Sequence, residues 1–139
     1  MYRVAVKSTL GQGFDSPHLH QFMNYIEERP WGNFENLLDC EYCKVKRIIV
    51  KPGQRLSYQY HKGRSEVWTV VKGEATVTIN DKEHVIRPEQ LIKIPVGTKH
   101  RVENKKSQDL IFIEVQTGTY FGEDDIVRLE DDYNRSGQN

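Results

Sequence analysis

The feature that most constrains this chain is a succession of short runs rich in Val, Ile, Thr and Tyr, each closed by turn residues. The runs are Val45–Val50, Arg55–His61, Glu66–Val71, Ala75–Ile79, His84–Arg87, Leu91–Pro95, Arg101–Asn104 and Leu110–Gln116. Pro52-Gly53, Lys62-Gly63, Lys72-Gly73, Asn80-Asp81, Pro88, Pro95–Gly97 and Thr117-Gly118 punctuate them. Strands this short and this closely spaced predict an all-β sandwich or barrel. Nothing between them is long enough for a crossover helix, which argues against a parallel βαβ fold. The one helical hint is the spacing of Phe22, Tyr25 and Ile26.

A length of 139 residues fits a single domain. Residues 1–22 mix Gly11, Gly13, Ser16 and Pro17 with scattered apolar residues and show no period. They read as a flexible N-terminal appendage, with the folded domain over 23–139 and Met23 as a second candidate start. His18 and His20 form an HxH pair on that arm and read as incidental. The residues from about Asn134 are expected to fray.

Lys and Arg number 20, as do Asp and Glu, so no basic surplus exists to attract nucleic-acid phosphates. The longest aliphatic or aromatic run, Leu110 to Ile113, is far short of a membrane span. No apolar core follows Arg3 and Lys7, so no signal peptide is read and the cytoplasm is the expected compartment. Cys40 and Cys43 form a lone CxxC. It has neither the second pair of a zinc ribbon nor a βαβ setting, and reads as two incidental thiols at a hairpin.

Strand alternation sharpens the argument. Ala75, Val77 and Ile79 share one face, leaving Glu74, Thr76 and Thr78 outward. The same count puts Glu66 in phase with Trp68 and Val70, Gln59 with His61, and His100 with Val102 and Asn104. A buried carboxylate must be paired. Four polar groups facing a barrel interior therefore share a reason. A divalent ion is one, since imidazole nitrogen and carboxylate oxygen ligate Zn²⁺, Mn²⁺, Fe²⁺ and Co²⁺. A purely hydrogen-bonded network is the other. Lys46 is in phase with Ile48 and Val50 and can face inward or stand outward. Trp31 and Trp68 read as core rather than as a sugar platform.

Gly53, Gln59, His61, Glu66 and Gly73 resemble the first cupin motif, with Gln59 in place of its first His. Pro95, Gly97, His100 and Asn104 resemble the second, with Glu89 where it has a leading Gly. A closer resemblance, over about residues 28–135, is carried by Arg29–Gly32, Lys44–Ile48, Arg64–Glu66 with Trp68, Ile94–His100, Ile113–Gln116 and Gly122–Arg128 with Asp132, Tyr133 and Arg135. These resemble the cupin family of type II mannose-6-phosphate isomerases, which also forms the C-terminal domain of bifunctional mannose-1-phosphate guanylyltransferases.

That resemblance implies a small jelly-roll barrel, the double-stranded β-helix, holding one divalent metal ion. Zinc is the first expectation, with manganese, cobalt or iron as alternatives. Gln59, His61, Glu66 and His100 are the implied ligands, Arg64 the implied catalytic residue, and a homodimer the implied assembly. The implied reaction interconverts mannose 6-phosphate and fructose 6-phosphate and feeds GDP-mannose and polysaccharide synthesis. It moves a proton between C1 and C2, which needs an electrophile, a base and a cation for phosphate. Lys46, Asp125 and Arg128 are the candidate substrate-side groups. Asp125 and Arg128 either close the barrel mouth or form a surface ion pair. Glu114 and Lys99 are the candidate bases.

The family commonly carries His where this chain has Gly63 and Val67. Val67 points away from Glu66 by alternation, whereas Gly63 removes a potential acid/base or phosphate contact. The alternative reading is therefore a non-catalytic, stand-alone cupin that binds a sugar phosphate or sugar nucleotide. A cupin dioxygenase is disfavoured by Gln59 in place of His, and a metal-free epimerase by the register of the four polar groups.

Overall fold

The computed structural model describes residues 25–135. These form eleven strands and no helix: β1 (Tyr25–Arg29), β2 (Gly32–Asp39), β3 (Lys44–Val50), β4 (Tyr58–Tyr60), β5 (Arg64–Lys72), β6 (Ala75–Ile79), β7 (Lys82–Ile86), β8 (Leu91–Ile94), β9 (His100–Glu103), β10 (Leu110–Gly118) and β11 (Val127–Glu130). Two antiparallel sheets result, ordered β1-β2-β3-β10-β5-β8 and β11-β4-β9-β6-β7. From β3 to β11 the chain crosses between them at nearly every step, which is the jelly-roll winding of a cupin barrel.

The inward faces are graded. Cross-strand partners lie on one face of a sheet. On the larger sheet, one inward row joins Lys44, Gln116 and Glu66, and the next joins Lys46, Glu114 and Trp68. The third joins Phe34, Ile48, Phe112 and Val70, and Val50 meets Leu110 beyond it. All of these residues are buried. One end of the barrel is thus closed by hydrocarbon, and the other carries charge. Trp31 and Trp68 both belong to the hydrophobic core, as expected.

Several expectations change. Tyr25 and Ile26 lie in β1, paired with Asn36 and Glu35, so the helical hint gives way to sheet pairing. Phe22, the HxH pair and the appendage lie outside the described residues. The strands β2 and β11 were not legible: β2, GNFENLLD, lacks β-branched residues and takes its conformation from β1 and β3. The run Arg55–His61 contracts to Tyr58–Tyr60, with Arg55 forming only an isolated bridge to Glu103. Thr76, expected outward, is buried between its cross-strand neighbours Val85 and Glu103.

The turns follow their residues. Asn80 and Asp81 both take positive φ, 48° and 70°, the conformation a tight β6–β7 hairpin requires. Gly73 has φ 85°, and a Cβ there would stand 2.6 Å from the Asp109 carbonyl oxygen. Cys40 and Cys43 sit in the β2–β3 connection as free thiols, their sulfurs 3.7 Å apart.

Candidate metal centre

The smaller sheet supplies a cross-strand row in which Arg128 of β11 pairs with Gln59 of β4, and Gln59 pairs with His100 of β9. The β4–β5 turn at Lys62-Gly63 reverses the chain, bringing His61 and Glu66 together from either side of it. His61, Glu66 and His100 are all buried, and a ligand atom from each lies within 4.8 Å of the others. Glu66 Oε2 is 3.2 Å from His61 Nε2, and its Oε1 is 3.9 Å from His100 Nε2. The Gln59 amide stands 3.4 Å from His61 Nε2.

The donor set suits a divalent cation. His61 Nδ1 lies 2.6 Å from the Asp125 carbonyl oxygen, and His100 Nδ1 lies 2.8 Å from that of Thr98. Each carbonyl fixes the proton on Nδ1 and leaves Nε2 as a lone pair aimed inward. His100 Nε2 is buried with no hydrogen-bond partner. A buried acceptor of this kind calls for a ligand. Burial, then Arg64 and His100, push the His61 imidazole down to about 4, so it is neutral at physiological pH. Burial opposes ionisation of Glu66, but His100, Arg64 and Trp68 outweigh it and hold the carboxyl below its usual range. Ser57 Oγ donates to Gln59 Oε1. Half a turn of the amide sends Oε1 toward the imidazoles and offers the NH₂ to the Ser57 hydroxyl.

Arg64 is buried and directed at this cluster. Its Nε donates to Glu66 Oε2 at 2.9 Å, and Trp68 Nε1 donates to Glu66 Oε1 at 2.9 Å. The cluster opens on a cavity with about 750 Å³ of empty space, open mouth included. Gln59, Glu66, His100 and Arg64 line it, together with Lys46, Glu114 and Trp68 of the next inward row and the apolar Phe34, Ile48, Val102 and Phe112.

Lys46 does face inward, with Nζ 2.6 Å from Glu123 and 4.0 Å above the Phe34 ring. Arg128 lines the cavity beside Gln59. Asp125 does not line it. Its carboxylate accepts from the backbone N–H groups of Lys62 and Gly63, both at 2.8 Å, so it shapes the turn behind His61 rather than meeting a ligand. Of the two candidate bases, Glu114 lies in the cavity wall, whereas Lys99 is partly exposed, with Nζ 3.7 Å from Asp81. Burial, and then the Glu66 carboxylate, push Glu114 up to about 7.

Sequence reasoning missed Arg29, Arg135 and Glu123 as lining residues. Lys46 and Lys44 overcome the burial of Glu123 and bring its carboxyl down to about 2. The acidic run at residues 122–125 was visible in the sequence, but nothing there showed that it would fold back onto β3. Among the described residues no helix is long and apolar enough to cross a membrane.

Comparison with known proteins accords with this geometry. The family described as "Mannose-6-phosphate isomerase C-terminal" matches residues 16–131. The xanthan biosynthesis protein XanB of Xanthomonas campestris is 47% identical over 108 residues, covering 78% of this chain and 23% of its own length. The mannose-1-phosphate guanylyltransferase ManC of Salmonella typhimurium is 44% identical over 121 residues, covering 87% of this chain and 25% of its own. The chain thus spans about a quarter of the length of these relatives. In fold, the capsular polysaccharide assembling protein CapF of Staphylococcus aureus superposes with a TM-score of 0.68 at 24% identity, covering 78% of this chain and 34% of that one. By its match over most of its length, the chain belongs to the mannose-6-phosphate isomerase C-terminal family of cupins.

Proposed function

We propose that this chain is a metal-dependent aldose–ketose isomerase that interconverts mannose 6-phosphate and fructose 6-phosphate. The observation that carries the reading is the convergence of His61, Glu66 and His100 on one point at a cavity that Glu114, one inward row along from Glu66, also lines. Gln59, His61, Glu66 and His100 hold the divalent ion in this proposal, with zinc, manganese, cobalt and iron as the candidates. Such an ion supplies a Lewis acid for the carbonyl and hydroxyl oxygens of the sugar.

The chain's own residues do the rest. Glu114 as carboxylate takes the proton from C2 of the open-chain aldose and returns it to C1, while the O2 hydroxyl proton passes to O1. A carboxyl pushed up to about 7 suits this, because a base works best with a pKa near the working pH. Arg64 fixes Glu66 through Nε, and its guanidinium, which lines the cavity, offers charge to the sugar oxygens. Lys46 steadies the ionised Glu114 from the neighbouring strand position. The apolar lining of Phe34, Ile48 and Phe112 keeps bulk water from the reacting carbons. The names of the relatives, a xanthan biosynthesis protein and a mannose-1-phosphate guanylyltransferase, support a place in mannose supply for GDP-mannose and polysaccharide synthesis.

One observation favours a second reading, a module that binds sugar phosphate without turnover. A Cβ at Gly63 would lie 3.0 Å from Tyr120 Cβ and 3.2 Å from Asp125 Oδ2, so those residues occupy the space the family's His needs. A coupled assay on mannose 6-phosphate, with and without chelator, separates the two. Turnover lost to chelator and restored by one of the four metals supports the isomerase. Tight binding with no fructose 6-phosphate under any metal establishes the binding module instead.

A further inference from the structure

The CxxC pair reads from sequence as incidental, and the metal centre makes no use of it. The fold places the two thiols more sharply. In the β2–β3 hairpin Leu38 pairs with Val45 and Asp39 with Lys44, so the next opposed residues are Cys40 and Cys43. The Cys40 backbone N–H donates to the Cys43 carbonyl oxygen at 3.0 Å and closes the turn over Glu41 and Tyr42. Directly opposed residues of an antiparallel pair lie ~4.5–5.5 Å apart at Cα, inside the range that a disulfide spans. The Cys40 thiol reaches the Cys43 carbonyl oxygen at 3.5 Å, and the two sulfurs stand 3.7 Å apart. Bonded sulfurs are ~2 Å apart, so the remaining gap lies within reach of side-chain rotation.

The two thiols are not equivalent. Burial opposes ionisation of Cys40, but the backbone of Tyr42 and of Cys43, and then the Cys43 thiol, outweigh it and hold Cys40 below the usual thiol range. Burial, and then the Cys40 sulfur, push Cys43 up. The thiolate is the nucleophile in thiol–disulfide exchange, so the hairpin holds an attacking sulfur beside a resolving one. Both cysteines are partly exposed, and Glu41 and Tyr42 between them are exposed. The competing use of a CxxC is a thiolate metal site, which takes four ligands. The chain has two cysteines, and among the described residues no His, Asp or Glu joins their sulfurs in a group able to hold an ion. A disulfide needs only the two sulfurs present. Asp39 and Glu41 flank the pair and favour an uncharged reagent over an anionic one.

We propose that Cys40 and Cys43 form a reversible dithiol–disulfide site that reacts with small uncharged disulfides, Cys40 attacking and Cys43 resolving. The Cys40 thiolate attacks one sulfur of the reagent. The reagent's S–S bond breaks, and its first half leaves as a thiol with the proton that Cys40 gave up. Cys43 then loses its proton and attacks Cys40 Sγ. The mixed S–S bond breaks, and the second half leaves as a thiol with that proton. The protein dithiol is oxidised by two electrons, and one small disulfide is reduced to two thiols. Cys43 adjoins the buried Lys44, whose Nζ donates to the Phe121 carbonyl oxygen at 3.2 Å and to Glu123 at 2.9 Å. Glu123 lines the cavity, so the disulfide fixes the strand end from which Lys44 holds a segment of the cavity wall. The site stands or falls independently of the isomerase reading.

The test equilibrates the full chain at neutral pH with hydroxyethyl disulfide and mercaptoethanol in graded ratios, quenches with acid and reads the cysteine-bearing peptide by mass spectrometry. The expected product is one intramolecular disulfide, seen as the loss of two hydrogens from the peptide that holds both cysteines and reversed by dithiothreitol. In the reduced chain, iodoacetamide should label Cys40 about tenfold faster than Cys43. Cys43→Ser should stop at a mixed disulfide on Cys40, and Cys40→Ser should form its mixed disulfide about tenfold more slowly. Wild-type chain that yields only mixed or intermolecular disulfides at every ratio overturns the site, a result that needs no variant. Equal labelling of the two thiols overturns the assignment of Cys40 as the attacking sulfur. Thermal unfolding identifies a variant that fails to fold, in which case the wild-type titration and labelling rates decide both points.

Discussion

Replacing Glu66 by Gln probes the cluster and the buried ion pair at once. The carboxylate is 2% exposed and accepts from Arg64 Nε and Trp68 Nε1 while facing both imidazoles. Gln keeps the shape and one acceptor oxygen but loses the charge. Arg64, itself only 6% exposed, is then left without its principal counter-charge. Removing one partner of a buried pair costs about 3–5 kcal/mol, and the retained hydrogen bond offsets about 1 kcal/mol of it. The chelated variant is therefore expected to be about 2–4 kcal/mol less stable than the chelated wild type. For a domain of this size that lowers Tm by roughly 8–16 °C. The metal effect is separate: with the anionic ligand gone, the variant should emerge from dialysis against trace zinc with little bound. Thermal unfolding by circular dichroism with chelator measures the first quantity, and elemental analysis measures the second. Full metal stoichiometry in the variant would falsify the ligand assignment. A chelated Tm within 2 °C of wild type would refute the argument from a buried, charge-dependent pair.

Other expectations follow from the same geometry. His100→Gln should cut metal affinity by more than about a hundredfold, since even outer partners of metal ligands cost 10–100-fold when lost; equilibrium dialysis with zinc checks this. Glu114→Gln should keep the metal and lower kcat by at least about a hundredfold, and wild-type kcat/KM should rise with pH through about 7 as Glu114 deprotonates. A flat profile would remove Glu114 from the reaction. The metal-free protein carries two opposed linkages. The unfolded chain protonates His61 near pH 6.5 but the folded chain only near 4, so stability is lost as pH falls through that window. Glu114 keeps its proton up to about 7 when folded, so its contribution is lost as pH rises from about 4.5 to 7. Glu114→Gln removes the second and should expose the acid-side weakening, visible as steeper pH dependence of chelated unfolding curves between pH 4 and 6.5; equal slopes in the two proteins would contradict this. Gly63→His should destabilise by about 1–3 kcal/mol through crowding against Tyr120 and Asp125, and Tyr120→Ala in the same chain should recover part of the lost Tm.

What the sequence disclosed and what it hid divide along a physical line. Alternation around Glu66, Gln59 and His100 was enough to turn three polar groups inward, because the period of a strand is local and rigid. The phase of Lys46 with Ile48 and Val50 left its direction open, and its inward burial rests on Glu123, a partner 77 residues away. β2 was illegible because its composition does not favour a strand and its neighbours impose the conformation, and β11 because four residues are too short to show a period. Arg29 and Arg135 resemble a family's residues but carry no local mark of the cavity they line. Asp125 went astray for the converse reason: an acidic residue near a basic one suggests a partner, whereas the backbone of the Lys62-Gly63 turn claims it first.

The gradation of the inward rows on the larger sheet has a consequence for how such a molecule can change. Each long strand carries reactive lettering at one tip and waxy ballast at the other, two residues apart per step. Substitutions at Lys46 or Glu114 therefore rewrite what the vessel accepts without touching Val50 or Leu110, which keep it shut. A slip of pairing by two positions, harmless to the in-out alternation, would drive Glu114 into the grease, so the rows also enforce a single alignment of β3, β10 and β5.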